Sequence, residues 1–373
     1  MREATVTMLA VSVWACVGGT QAWARTPGVP FADVVLPSWY APAPGQFVNT
    51  PQFNDPTRAI GAPTGGGPTA PDNTSQLTLG GFGGSVVLGF SAPVFDDPLN
   101  PMGLDAIVFG NAFYVNANPI RRWAEAGVIE ISRDVNGNGL PDDAWYVIRS
   151  PALADPPVGA QPSVLWDDDP FTMTPPLNPG WYPSGVGAGS YTTSGLLLAG
   201  VFNSIVLENS DALLEDAPGL ADLTPTLALG DTDADGVVED PAAAPEDFYT
   251  RPDSPFLVGI AAGSAGGAAF DIAWAVDALT GMPAGLDGFD FVRITTGPNA
   301  LAGAFGEIST EVDAIARVSP DPLWYDETGD GVLDIEDLYA ARTDVRRDAT
   351  VDGIDEQLVR RAVRAQLDGV PAR

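Results

Sequence analysis

The sequence predicts a mainly β protein: an antiparallel β-sandwich of jelly-roll type over residues 25–318, followed by a small all-α domain over 319–373. Three observations carry this prediction. Short runs of β-branched and aromatic residues recur from residue 80 to residue 296, each bounded by Gly, Pro, Asn or Asp. Gly (42) and Pro (35) are abundant in a chain of 373 residues, which favours turns over long helices. No helical periodicity alternates with the strand-like runs, which argues against βαβ units; helical patterning is credible only after residue 333.

Taken in order, residues 1–24 are expected to be a secretory signal. Arg2 precedes an apolar run from Met8 to Val17, and Ala22-Trp23-Ala24 offers a small-x-small cleavage site. The run is too short to span a membrane, and no later run of about 18 apolar residues follows, so no transmembrane anchor is expected. The only cysteine, Cys16, lies inside the signal. Acylation there would make a lipoprotein, but Trp14 is bulky where such signals hold a small residue. Cleavage after Ala24 leaves no cysteine, so disulfides cannot cross-link the mature chain. The predicted address is secreted or cell-surface.

Residues 25–75 are rich in Pro, Gly, Asn and Thr and read as an extended lead-in, with a short strand around 31–36. Strand signals then fall at 85–90 (SVVLGF), 105–110 (DAIVFG), 127–132 (GVIEIS), 144–149 (AWYVIR), 203–208 (NSIVLE), 270–276 (FDIAWAV) and 289–295 (FDFVRIT). Long loops are expected between 150 and 200.

Charge restricts the partners. There are 49 Asp+Glu against 17 basic residues, all Arg, for a formal net charge of −32. Phosphate recognition needs clustered cations, so neither nucleic acid nor an anionic membrane is an expected partner. Divalent cations suit such a chain, and the acids fall into spacings that would hold them. From Asp326, oxygen-bearing side chains stand at positions 1, 3, 5, 9 and 12 and Gly331 at position 6, the twelve-residue plan of an EF-hand calcium loop. The expected Ca2+ ligands are Asp326, Thr328, Asp330, the Val332 carbonyl, Asp334 and Asp337. A second loop, with Asp134, Asn136, Asn138 and Asp142, joins two predicted strands; a cluster of Asx turns is the alternative there. A third has Asp231, Asp233, Asp235, the Val237 carbonyl and Glu239. Its three alternating Asp lack any neighbouring cation in sequence, a crowding that metal or solvent must relieve.

Several ordered blocks resemble a family of bacterial secreted and cell-surface proteins across residues 80–318. They are FGGSVVLGF (82–90), VFGNAF (108–113), DVNGNGLPDDAWY (134–146), FDIAWAVD (270–277) and GEISTE (306–311). The resemblance implies a surface β-sandwich module and no particular reaction. Residues 321–371 resemble a type I dockerin, in which two calcium loops, each followed by a helix, dock on a cohesin. Asp326–Asp337 matches the first loop. The second copy, with Asp344, Asp348, Asp352 and Asp355, has Arg346 at position 3 and Ala349 in place of the position 6 glycine, so weak or no calcium binding is expected there. Its helix, with Leu358, Val359, Ala362, Val363 and Leu367, keeps an apolar face. The resemblance implies a cohesin-like or other protein partner through the C-terminal domain. Calcium binding transfers more safely than cohesin binding, because Ile335, Glu336, Gly353 and Ile354 do not repeat the pair usual at such contacts.

Without Lys or His, Ser-His-Asp triads, histidine zinc sites and Schiff-base lysines are excluded. Only carboxylate chemistry remains. Asp167, Asp168, Asp169, Glu125 and Glu208 are candidate glycosidase acids, but none stands on a strand within an aromatic cluster, so the protein is not expected to be an enzyme. Trp123, Trp145, Trp166, Trp181 and Tyr182 would serve polysaccharide binding, the alternative to a calcium-binding interaction protein.

Overall fold

A computed structural model of the chain describes residues 29–45, 47–70, 74–150, 219–251, 266–298 and 308–319. It also describes short strand segments at 164–165, 192–193 and 206–208, and Thr328 and Glu336. The predicted signal, most of the 150–200 region and the calcium loops of the tail lie outside the described residues. The chain is mainly β. Its strands are β1 (Val34–Val35), β2 (Leu77–Thr78), β3 (Ser85–Phe95), β4 (Ala106–Phe109), β5 (Phe113–Tyr114), β6 (Arg121–Trp123), β7 (Gly127–Ser132), β8 (Trp145–Ile148), β9 (Val164–Leu165), β10 (Thr192–Thr193), β11 (Val206–Glu208), β12 (Leu220–Ala221), β13 (Ala268–Phe270), β14 (Ala275–Val276), β15 (Gly288–Thr296), β16 (Glu311–Val312) and β17 (Ala314–Arg317). Every strand pair among the described residues is antiparallel.

The largest sheet has the order β1-β3-β15-β7-β8-β14, with β12 also on β7. Its centre is β15, paired with β3 on one side and β7 on the other over most of its length. Alternation sends Val86, Leu88, Ile129, Ile131, Val292 and Ile294 to one face, where they share a core with Ala106, Val108, Phe270 and Ile315 of a second sheet, β13-β4-β17. Phe289 joins the two: its ring meets Phe90 of β3 edge-on at 5.8 Å and tilts against Phe270 of β13 at 5.9 Å. A fully buried ring of this size contributes about 1.5–3 kcal/mol. The other face of the small sheet is buried too. Ile107, Phe109, Ala314 and Ala316 pack there with Leu104 and Tyr249, which explains why β4 reads as the unbroken apolar run AIVF rather than as an alternation.

Two predicted elements differ. The run 270–276 is not one strand. It is β13, a turn of 3-10 helix over Ile272–Trp274, and β14. The Asp271 side chain accepts the Ala273 N–H and caps this turn, while the Ile272 N–H is taken by Asp105. The chain thereby leaves the small sheet at Phe270, opposite Ala106, and joins the large one at Ala275, opposite Ile148. Among the described residues α-helix also occurs before residue 333, as a turn over Pro245–Phe248 that starts at a proline preset for the helical φ.

Between Phe289 and Phe291 the pairing of β15 with β3 shifts register, and the residue between them serves the Asp134 loop. Asp290 Oδ2 accepts from Arg133 Nη1 at 2.7 Å and from the Asp134 N–H at 2.8 Å. The irregularity thus roots that loop on the sheet.

Candidate metal centre

The third acidic loop hangs between β12 and the short helix. Its turn needs left-handed backbone at Gly236 (φ +88°), which glycine adopts without strain, and also takes it at Ala234 (φ +60°). Gly230 closes the loop by accepting both the Glu239 and Asp240 N–H groups, each at 3.0 Å. Within it, Asp231 Oδ2 accepts the Gly236 N–H, Asp233 Oδ1 the Asp235 N–H, Asp235 Oδ1 the Val237 N–H, and Glu239 Oε2 the Thr232 N–H. The effect is convergence. One carboxylate oxygen from each of Asp231, Asp233, Asp235 and Glu239 lies within 4.8 Å of the others.

One atom separates this cluster from an ordinary acidic turn. Asp231 is fully buried, and its Oδ1 has no hydrogen-bond partner. A bare carboxylate oxygen away from water is costly, about 1–3 kcal/mol or more for a charged group. Burial raises the Asp231 pKa above the ordinary range, and the Glu239 carboxylate adds to this, against the Gly236, Asp235 and Ala234 N–H groups that face the Asp231 carboxylate. Among the described residues no Arg forms an ion pair with any of the four acids. Four hard oxygens with an uncompensated buried charge fit a hard divalent cation of the size of Ca2+, which takes six to eight oxygen ligands in a flexible cage.

The loop at 134–143 is built differently. Asp134 accepts the Asn138 and Gly139 N–H groups, and Asp143 accepts the Val135 and Asn136 N–H groups. The side-chain amides of Asn136 and Asn138 donate to Asp142, which holds the Asp142 pKa below the ordinary range. Its polar groups satisfy one another, as in an Asx-turn cluster. Asp134, Asn136, Asn138 and Asp142 are thus brought together by their own hydrogen bonds. In the tail only Thr328, of the expected ligands, falls among the described residues; Asp326, Asp330, Val332, Asp334, Asp337, Asp344, Asp348, Asp352 and Asp355 lie outside them.

Sequence reasoning named Glu125 only as a candidate glycosidase acid and missed the set of acids it belongs to. Asp222, Glu125 and Glu311 are buried together where the segments at 110–112, 124–126 and 309–312 meet. Asp222 adopts φ +55°, a strained conformation for a residue with a side chain, tolerated best by Asn and Asp. Its Oδ1 accepts the Asn111 and Ala112 N–H groups at 2.6 and 2.9 Å, and its Oδ2 the Glu311 N–H at 3.1 Å. Gly110 makes room: a Cβ there would lie 2.3 Å from Asp222 Oδ1. Glu125 Oε1 accepts the Ser309 N–H, and the Glu125 and Glu311 carboxyls lie beside each other. Glu311 Oε2 is buried without a partner. Burial raises the pKa of all three, and the neighbouring carboxylates raise Asp222 and Glu311 further; the N–H donors oppose this at Asp222. A third acidic group, Asp96, Asp105 and Asp271, also converges within 4.8 Å. Asp105 is fully satisfied by the Asp97 and Ile272 N–H groups and the Asn100 amide. Burial pushes Asp271 up to about 6. The available signal was a lone acid inside an apolar run, as in Leu220-Ala-Asp-Leu223 and Asp105-Ala-Ile-Val108.

These raised values set a pH dependence. A carboxyl with a raised folded-state pKa holds its proton where the unfolded chain has lost it, so folding stability falls as pH rises through that interval. Unfolding midpoints in denaturant should therefore fall as pH rises from about 4, the unfolded carboxyl range, through the raised values, about 6 for Asp271. Asp55, Asp142 and Asp277, lowered chiefly by hydrogen bonds from Thr57, from Asn136 and Asn138, and from Thr280, act oppositely and weaken the fold only on stronger acidification. A profile flat from about pH 4 to above pH 6 would contradict the buried-acid assignment.

Of the candidate glycosidase acids and sugar-stacking aromatics, Glu125 is buried against Glu311 rather than facing a cleft. Trp123 stacks on Phe113, and the Arg293 guanidinium sits 4.4 Å above the Trp145 ring, so protein already covers one face of each indole. Asp167, Asp168, Asp169, Trp166, Trp181 and Tyr182, and the Glu208 side chain, lie outside the described residues. Among the described residues no helix is long and apolar enough to cross a membrane. No protein-family model and no curated protein matches this chain.

Proposed function

We propose that the chain is a secreted, calcium-binding surface or interaction protein, in which a β-sandwich of jelly-roll type carries a dockerin-like tail for attachment to a protein partner. The observation that carries the calcium reading is the buried, unpartnered Asp231 Oδ1 within the Asp231–Glu239 carboxylate cluster. Asp231, Asp233, Asp235 and Glu239 would hold the ion, with the Val237 carbonyl completing the loop plan. The bound Ca2+ would neutralise the cluster; the protein's part is to fix the oxygens and close the loop through Gly230. The sandwich reading is supported by the core that the β3-β15-β7 and β13-β4-β17 sheets share. The tail reading rests on the twelve-residue spacing from Asp326 to Asp337. In a mature chain without cysteine, calcium is the available cross-link.

Isothermal titration calorimetry of the full chain with calcium tests this. At least two binding events are expected, one lost in Asp235→Ala and another in Asp330→Ala. Absence of calcium heat from the wild-type chain would falsify the proposal.

A further inference from the structure

The Asp231 loop is part of a longer closed unit. The strand-like segment that leads into it passes Leu227, whose carbonyl accepts the Tyr249 hydroxyl at 2.8 Å. Tyr249 lies just beyond the loop's far end, so this bond ties the chain before the loop to the chain after it. The path between is continuous in hydrogen bonds. Asp231 N–H donates to Ala228 O, Glu239 and Asp240 N–H to Gly230 O, Ala243 N–H to Asp240 O, Phe248 N–H to Ala244 O, and Tyr249 N–H to Pro245 O. The Tyr249 ring is almost fully buried and meets Phe109 of β4 edge-on at 5.1 Å. The next residue reaches elsewhere: the Thr250 carbonyl accepts the Ser319 N–H at 2.9 Å. Ser319 follows β17, where the sequence predicts the C-terminal domain to begin.

Closure of this unit brings the four carboxylates together, and the buried Asp231 Oδ1 makes no hydrogen bond of its own. Like charges this close oppose closure unless a cation joins them. We propose that calcium binding in the Asp231 loop closes residues 227–250 and thereby fixes Ser319, so that occupancy of this site sets how firmly the C-terminal domain is held at its root. This rests on the calcium reading of the same loop and adds its consequence. Metal at the loop stabilises Tyr249 against Phe109, and the Thr250 carbonyl is then held in place for Ser319. Arg317 and Val318 are bonded independently, to Pro30 and Asp105, so the effect should begin at Ser319 rather than at β17.

Hydrogen exchange of the full chain, with calcium and with chelator, reads this directly. Calcium should slow exchange of the Ser319 amide and of the Tyr249 amide by about tenfold or more, while amides of β15 change less. Asp235→Asn should abolish the Ser319 effect, whereas Asp330→Asn, at the separate loop of the tail, should leave it intact. Calcium protection confined to residues 231–240, with Ser319 unchanged, overturns the inference and leaves the calcium site standing. No protection in the loop and no calcium heat overturns both.

Discussion

Asp222→Ala should destabilise the protein by about 3–5 kcal/mol, the range expected when three buried N–H groups lose their acceptor. The opposing effects can be weighed. Removing this carboxylate relieves its repulsion with Glu125 and its own desolvation, both of which raise its pKa. Against that, the Asn111, Ala112 and Glu311 N–H groups lose their acceptor inside the protein. Each orphaned group costs about 1–3 kcal/mol, and alanine is less tolerant than aspartate of the left-handed φ of +55° there. The three orphans outweigh the relief. Asp222→Asn keeps one oxygen for Asn111 and Ala112 but sets a donor against the Glu311 N–H, so an intermediate loss of about 1–3 kcal/mol is expected. Urea unfolding checks both variants; the midpoint should fall while the slope stays constant. An unaltered midpoint for Asp222→Ala would refute the role assigned to this residue.

Saturating calcium should raise the melting temperature by about 5–10 °C. Ligand at a hundred times its dissociation constant adds about 2.7 kcal/mol, and a domain of this size gains about 2–4 °C per kcal/mol. The double variant Asp233→Asn/Asp235→Asn should show the opposite pattern. Without calcium it should melt no lower than the wild type, because two of four crowded charges are gone; with calcium it should lose the share of the gain that comes from this loop. Those two side chains are exposed, so the change leaves the core untouched. Magnesium should be a poor substitute, since it demands a tighter octahedral shell than a loop of this kind supplies. Differential scanning calorimetry in calcium and in chelator decides the matter. An equal calcium gain in wild type and variant would exclude the Asp231 loop as a contributor.

The two expectations differ in how far the sequence announced them. The loop of Asp231, Asp233, Asp235 and Glu239 is legible because its oxygens are supplied by residues two to four apart, and the turn that gathers them is local. The strands at 85–90, 127–132 and 289–295 are legible for a similar reason: a period of two with β-branched and aromatic residues is a property of a few consecutive positions. They appear as β3, β7 and β15, the first of these extended to Phe95. The segment 270–276 misled because apolar content alone cannot show that Asp271 caps a turn and that Asp105, far back in the chain, takes the next N–H.

What the sequence by itself determined is a mainly β chain, the position of its long strands, the spacing of its acidic loops and the chemistry removed by the lack of Lys and His. Tertiary structure alone decided which acids are buried and what holds them. Asp222 meets N–H groups about 110 positions earlier and 89 positions later, and Glu125 meets Ser309 across 184 positions. It also separated two loops of similar acid spacing: the Asn amides of one saturate Asp142, whereas the other leaves Asp231 Oδ1 buried without a hydrogen bond. The physical reason is range. Turn geometry and strand period are set by neighbouring residues, but the energy of a buried charge depends on every donor the fold brings to it, and those donors come from distant parts of the chain.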